Sequence, residues 1–338
     1  MAKKVVLMAN LGSPNSTDVK DVKSYLAEFL MDERVIDIPY FARLLLVRGI
    51  IVPFRAPKSA EKYKTIWTDD GSPLIIITNQ LARKFQAKTG IPTYVCMRYA
   101  NPTPESAFKL IKQQQPDCEE VVMLPLYPHY AMSSYETAVE HVKKAHGNAH
   151  YGFKLTVVKP FYNHPKYISA LANSIKPFLT NPYDHVLFSY HGIPERHITK
   201  TDPTKTHCLK CDNCCEVASV AHEVCYRHQV SVTTKLVAKE LNLPEDKFSF
   251  SFQSRLGQDK WLQPYTSAQL QKFPKQNIKN LVVVSPAFVS DCLETLEEIH
   301  VEGKEDFMHA GGASYVTVPC LNTNDEWVST IEQLIHEA

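Results

Sequence analysis

The sequence predicts an α/β protein made of two similar halves, each built on a four-stranded parallel sheet flanked by helices. Two observations carry this. Eight short runs rich in Val, Ile, Leu and Tyr alternate with helical patterns, which is the signature of repeated βαβ units. Those runs also fall into two sets of four that resemble one another. VVLMANLGSP parallels HVLFSYHGIP, each a strand breaking into Gly-x-Pro. VVMLPLYPHYAMS parallels VVVSPAFVSD, each with proline just past the strand. VVKPFYNHPKYISAL parallels VTVPCLNTNDEWVSTI, each a strand leading into a helix.

The expected strands are 5–10, 93–99, 120–126 and 155–160 in the first half, and 185–190, 249–253, 281–285 and 315–318 in the second. We place the domains at 1–160 and 161–323, with a closing helix over 324–338 that packs back on the first domain. Of the 338 residues, 44% are apolar and 22% charged, a globular balance. The formal net charge of +1 gives no basic stripe, which argues against a nucleic-acid footprint. The N-terminal MAKKVVLMANLGSP reads as a first buried strand rather than a signal peptide. A reducing, cytosolic setting is therefore expected, in which clustered cysteines hold metals more often than they form disulfides.

Each half carries one extra piece. In the first it is Asp37–Phe54, DIPYFARLLLVRGIIVPF, bounded by Pro39 and Pro53 and interrupted by Arg43 and Arg48. It is too short to span a bilayer, so it is either a core helix or an exposed apolar lip over a greasy ligand or a membrane surface. In the second it is HCLKCDNCCEVASVAHEVC, His207–Cys225, which holds five of the nine cysteines. The pattern C-x2-C-x2-C-C-x9-C suits a soft metal. Four thiolates can hold tetrahedral zinc or a 2Fe–2S cluster, and the spacing does not separate the two.

Parallel α/β sheets bind ligands beyond the carboxyl ends of their strands. Those ends are Leu11-Gly12-Ser13, Arg98-Tyr99, Tyr127-Pro128-His129-Tyr130, His191-Gly192-Ile193-Pro194, Gln253-Ser254-Arg255 and Phe288 to Glu294. They bring together aromatics, histidine, arginine and carboxylate. No GxGxxG, GxxxxGK[ST] or GxSxG is present, which disfavours dinucleotide, P-loop and serine-hydrolase chemistry. His191 ends the fifth strand. Glu294 and Glu298, four residues apart, share a helix face near the same mouth. An imidazole opposite a carboxylate suits a divalent first-row metal, or removal of protons from weakly acidic N–H groups.

SYHGIPERH, FSFQSRLGQDKWLQPYT and VVVSPAFVSDCLETLEEI, together with LGSP, FRAPKSAEKYKTIW, MRYANP and LPLYPHYAMSS, closely resemble the ferrochelatases in the same order along nearly the whole chain. The resemblance implies two Rossmann-like domains in the chelatase fold, and insertion of Fe2+ into protoporphyrin IX with release of two protons. It implies His191 and Glu294 as the catalytic pair that also handles the substrate iron, with Asp291 and Glu298 on a proton or metal path. It further implies a porphyrin pocket of Leu11, Arg55, Arg98, Tyr99, Tyr130, Ser133, Trp261 and Phe288, in which Arg55 and Arg98 pair with propionates.

By the same resemblance, Asp37–Phe54 is an apolar lip over the porphyrin entrance, with peripheral membrane contact. The cysteine segment holds a 2Fe–2S cluster on Cys208, Cys211, Cys225 and either Cys215 or Cys214. Cys292 stands where some members carry histidine. Leu11 stands where coproporphyrin-using members carry tyrosine, which leans the substrate towards protoporphyrin. The rival readings are coproporphyrin III as substrate, a chelatase for another tetrapyrrole or metal, and a non-enzymatic iron–sulfur sensor.

Overall fold

A computed structural model describes residues 3–149, 151–255, 257 and 259–338. Leu256 and Gln258 of the QSRLGQ motif lie outside the described residues. Among the described residues, eight strands form two parallel sheets. In the first, β1 (Lys4–Asn10), β2 (Thr93–Met97), β3 (Glu120–Pro125) and β4 (Lys154–Val157) run in the order β2-β1-β3-β4. In the second, β5 (His185–His191), β6 (Phe248–Gln253), β7 (Asn280–Val284) and β8 (Ser314–Thr317) run β6-β5-β7-β8. The strands paired by their sequence likeness, β1 with β5, β3 with β7 and β4 with β8, therefore hold the same places in the two sheets.

Alternation along the central strands decides where the core sits. Val6 and Met8 of β1 join one apolar cluster, whereas Val5, Leu7 and Ala9 face another. Val186, Phe188 and Tyr190 of β5 join the same cluster as Val6 and Met8, while Leu187 faces away into a fourth. One core thus contains the inner faces of both sheets. It is filled by α4 (Pro73–Thr89), α7 (Pro165–Ile175), α9 (Tyr226–Glu240) and α12 (Asp325–Glu337).

The last helix reaches both halves. Asn324 caps it, its side-chain oxygen accepting from the N–H groups of Glu326 and Trp327 at 2.8 and 3.3 Å. Trp327 is fully buried, its ring centroid 5.5 Å from that of Phe161 and 6.2 Å from that of Tyr167. On its other side, Lys84 and Lys88 of α4 pair with Asp325 and Glu332 at 2.8 and 3.1 Å.

The 37–54 stretch is not a core helix. It begins as α2 (Tyr40–Leu44), widens to a π-helix over Leu45–Ile51 and continues as α3 (Val52–Ile66). Val47 and Val52 are buried, but Phe41, Leu45 and Phe54 are 78, 74 and 75% exposed. The buried Arg43 guanidinium donates to the carbonyls of Ile36 and Ile38, both at 3.0 Å, and so pins the base of the lip from inside. Among the described residues no helix is long and apolar enough to cross a membrane.

Trp327→Ala should destabilise the fold by about 3–5 kcal/mol, the usual cost of removing a buried aromatic from a shared core. Urea unfolding checks this; a loss below about 1 kcal/mol would mean that the closing helix is peripheral to stability.

Candidate active site

A glycine follows both central strands, two residues past β1 and one past β5, for a steric reason. Gly12 has φ +104°, and a Cβ there would lie 2.0 Å from the Tyr99 carbonyl oxygen. A Cβ on Gly192 would lie 2.8 and 2.9 Å from the carbonyl oxygens of Ser254 and Gln253. The chain beyond β1 and β5 therefore passes close to its neighbours, and a cavity of about 620 Å3 opens between the two sets of strand ends. That is within the usual range for a drug-sized or cofactor-sized ligand.

The cavity draws on both halves. From the first come Leu11, Leu46, Ile51, Arg55, Tyr127, His129 and Ser133; from the second come His191, Arg196, Tyr226, Trp261, Phe288, Cys292 and Glu294. Sequence reasoning placed Leu11, Arg55, Ser133, Trp261, Phe288, His191 and Glu294 at one site, and all seven line this cavity.

His191 is half-buried, with its ring centroid 6.4 Å from that of Phe288. Its Nδ1 lies 2.6 Å from the carbonyl oxygen of Gly192. A carbonyl only accepts, so Nδ1 carries the hydrogen and the neutral ring keeps its lone pair on Nε2. Glu294 opens the segment Glu294–Glu302, expected as an ordinary helix but wound as a π-helix, the form that recurs at functional sites. Two neighbouring carboxylates have separate partners. Glu297 accepts from Lys62 of α3 at 3.1 Å, whereas Glu298 accepts from Ser254 Oγ. Burial pushes the Glu298 carboxyl up, against the opposing pull of that hydrogen bond and of His191, while the Glu294 charge adds to the rise. Glu298 lines a second cavity of about 120 Å3, which shares Ser254 and Arg255 with the first.

Four predicted residues stand elsewhere. Arg98 is a structural cation, not a rim group. Its guanidinium meets the buried Asp32 carboxylate at 2.5 Å and donates through Nε to Thr137 Oγ1 at 2.6 Å. The Tyr99 hydroxyl donates to the same carboxylate at 2.8 Å. Burial opposes the Asp32 charge, yet the donors Thr137, Arg34 N–H, Arg98 and Tyr99 outweigh it and hold Asp32 below the usual carboxylate range. Tyr130 donates to Glu136, itself paired with Arg34 at 3.1 Å. None of Arg98, Tyr99 and Tyr130 lines the cavity, because each is drawn to a buried or half-buried acid. Asp291 lines neither cavity; its oxygens accept from Thr295, Asn322 and the Cys320 N–H at 2.9, 2.6 and 3.3 Å.

Several cavity residues escaped the sequence reading. His129 was placed at a strand end but given no role. Its Nε2 lies 2.9 Å from Thr233 Oγ1, its Nδ1 has no partner, and burial pushes its pKa down to about 3. Arg196, in the GIPERH run, meets Asp37 at the foot of the lip at 2.5 Å and also pairs with Asp259. Tyr226 follows Cys225 directly, and its hydroxyl donates to the His191 carbonyl at 2.9 Å.

The cysteine segment is anchored at its start by Asp202, which accepts from the N–H groups of His207 and Cys208 at 3.0 and 2.9 Å. Imidazole nitrogens of His207 and His222 meet the Cys214 carbonyl at 2.7 and 2.9 Å, and His228 Nδ1 meets the Cys215 carbonyl at 2.7 Å. Cys208, Cys214 and Cys225 are buried, Cys215 is half-buried and Cys211 is exposed. Burial pushes the Cys208 thiol up to about 11, against a hydrogen bond from Cys225. Cys215 is raised first by its hydrogen bond to Cys225 and then by burial. Among the described residues, no three His, Cys, Asp or Glu side chains stand together as a metal-holding group. The four-cysteine set with Cys211 as a ligand is therefore not assembled in this structure: Cys211 faces solvent while Cys208 and Cys225 face inward.

Against known proteins, a family model described as Ferrochelatase matches residues 3–338. Ferrochelatases from Opitutus terrae and Pseudomonas fluorescens (strain Pf0-1) are 47 and 44% identical, over 97 and 100% of this chain and 95 and 99% of theirs. One from Porphyromonas gingivalis is 43% identical over 99% of this chain and 96% of its own length. Among solved structures, SirB from Bacillus subtilis with Fe3+ superposes with a TM-score of 0.54 at 12% identity, covering 99% of this chain and 95% of that one, a likeness of fold. With a family match along nearly its whole length and such relatives at 43–47% identity, the chain belongs to the ferrochelatase family, enzymes that insert iron into a porphyrin.

Proposed function

We propose that the substrate is protoporphyrin IX and that His191 and Glu294 carry the insertion of Fe2+. The observation that supports this most directly is that both residues line one cavity, His191 at the end of β5 and Glu294 at the start of the π-wound segment that follows β7, beneath an apolar lip contributed by the other half. Insertion exchanges two pyrrole N–H protons for one ferrous ion. It therefore needs a base at the macrocycle face and a ligand that replaces water on the iron. The Nε2 lone pair of His191 suits either task, and the Glu294 carboxylate supplies compensating charge. Leu11, Trp261 and Phe288 offer flat apolar walls for the ring, Ser133 a hydroxyl, and Arg55 a guanidinium for a propionate. Glu298, in the adjoining small cavity, is the candidate for the proton or metal path. A pocket that bends the macrocycle would expose its nitrogens, and so favour the transition state over the flat substrate.

What supports protoporphyrin over coproporphyrin is Leu11, an apolar side chain at the cavity wall. What supports peripheral membrane contact, with the protein on the cytoplasmic face, is the run of exposed Tyr40, Phe41, Leu45, Ile50 and Phe54 on the lip. The cysteine segment is proposed to hold a 2Fe–2S cluster. Its donor chemistry fits soft metal: the Cys225 thiol is hydrogen-bonded to Cys208 and to Cys215, and the Leu209 N–H points at Cys214 Sγ at 3.4 Å. Cys208 and Cys225 would be ligands, with Cys215 or Cys214 and an inward-turned Cys211. A cluster would bind only as the raised thiols give up their protons.

His191→Ala and Glu294→Gln should each cut anaerobic iron insertion by at least about a hundredfold, the scale of acid–base catalysis. A variant that kept its turnover would remove that residue from the catalytic role, whereas wild-type protein with no iron insertion at all would favour the sensor reading. Leu11→Tyr should lower kcat/KM for protoporphyrin relative to coproporphyrin. An unchanged ratio would remove Leu11 as a selector. Anaerobically purified protein should absorb in the roughly 300–600 nm region and carry about two irons and two sulfides per chain. A colourless protein with one zinc would make the segment a zinc clamp.

A further inference from the structure

Helix α9 begins at the residue after the last cysteine of the segment, and one face of it carries Tyr226, which lines the cavity, with Gln229 and Thr233, which bond to residues of the first half beside it. These lie at helical positions i, i+3 and i+7, so they form a single stripe. Thr233 Oγ1 meets His129 Nε2 at 2.9 Å and donates to the Tyr162 carbonyl at 2.7 Å. Gln229 accepts the Tyr130 N–H at 2.7 Å and donates to the carbonyls of Glu223 and His222 at 2.8 and 3.3 Å. The stripe therefore ties the cysteine segment to walls supplied by both halves.

Tyr226 makes the contact that matters most. Its buried hydroxyl donates to the His191 carbonyl at 2.9 Å. The N–H of the same peptide unit, that of Gly192, donates to the Gln253 carbonyl at 2.6 Å. Both ends of the His191–Gly192 peptide are thus held, one by β6 and one by α9. The Gly192 carbonyl that follows fixes the His191 ring through Nδ1 at 2.6 Å. A shift of the first peptide would tilt the second, and with it the Nε2 lone pair.

We propose that Tyr226 is a positioning residue for His191, and that through it the cysteine segment sets where the His191 imidazole stands. This rests on His191 being the working histidine of the cavity. The segment needs no contact with substrate to act, because Cys225 and Tyr226 are covalent neighbours. Any change that moves Cys225 moves the start of α9.

The test uses the full-length enzyme with Tyr226→Phe, Cys225→Ser, both together, and His191→Ala. Tyr226→Phe should lower kcat about tenfold, the size of one hydrogen bond, with the porphyrin KM unchanged within about twofold. 15N-histidine spectra should show His191 passing from a single Nδ1–H tautomer to a mixture, a change that general loosening of the fold would not single out. Cys225→Ser should lower kcat in the wild-type background but add little in the Tyr226→Phe background. If the serine variant does not fold by circular dichroism, Cys225→Ala replaces it. Wild-type kcat in Tyr226→Phe, or a lowered kcat with an unchanged His191 tautomer, overturns the positioning role. Additive losses overturn the link to the cysteine segment. Retained turnover in His191→Ala would instead defeat the reading of His191 itself, whatever Tyr226→Phe does.

Discussion

The site depends on one shared apolar core. Because Val6 and Met8 of β1 and Val186, Phe188 and Tyr190 of β5 enter the same cluster, the two sheets are held by burial rather than by a few surface pairs. Buried apolar surface stabilises by about 25 cal/mol per Å2, so a core running through both halves makes their relative pose expensive to change. That pose aims both sets of strand ends at one cavity. The surface contacts that join the halves, such as Lys84 with Asp325, are exposed and contribute little beside it.

Charge in the first half is used mostly for architecture. Arg98 sits at a strand end, where a ligand-binding arginine would be expected, yet it is committed to Asp32. Asp32 is in turn satisfied by Thr137, Tyr99 and the Arg34 N–H. Removing either partner of such a buried pair strands the other charge, which is why the network behaves as a fixture rather than a docking point. The cations left at the cavity are Arg55, Arg196 and Arg255. Of these, Arg196 bridges Asp37 and Asp259, and Arg255 lies 4.9 Å over the Tyr265 ring.

Much of the fold was legible because parallel strands are written as apolar runs with proline or glycine just beyond them. All eight strands fell within a few residues of their expected bounds, and the likeness between halves matched the sheet order. The second-half wall of the cavity was legible because His191 ends β5, and Phe288 and Glu294 lie in the loop and at the start of the helical segment that follow β7. What the sequence hid were long-range pairings and unusual windings. Nothing near MRYANP announces that Arg98 will meet an aspartate 66 residues earlier. The π-winding of Glu294–Glu302 reads locally as an ordinary amphipathic helix. Tyr226 was obscured by the cysteines before it, and its partner is a backbone carbonyl, which no side-chain motif can encode.

The duplication also explains how the labour is divided. Equivalent strand ends carry Asn10-Leu11-Gly12 in one half and Tyr190-His191-Gly192 in the other, so matching positions present an apolar side chain on one wall and an imidazole on the other. The first half adds the lip, whose Leu46 and Ile51 also line the cavity, and thereby lowers the dielectric around the groups that the second half supplies. Electrostatic interactions gain strength where water is excluded. A cover and a reactive wall on one unit would have to be shaped together. On two copies of one fold, each can be shaped while the shared core keeps them facing.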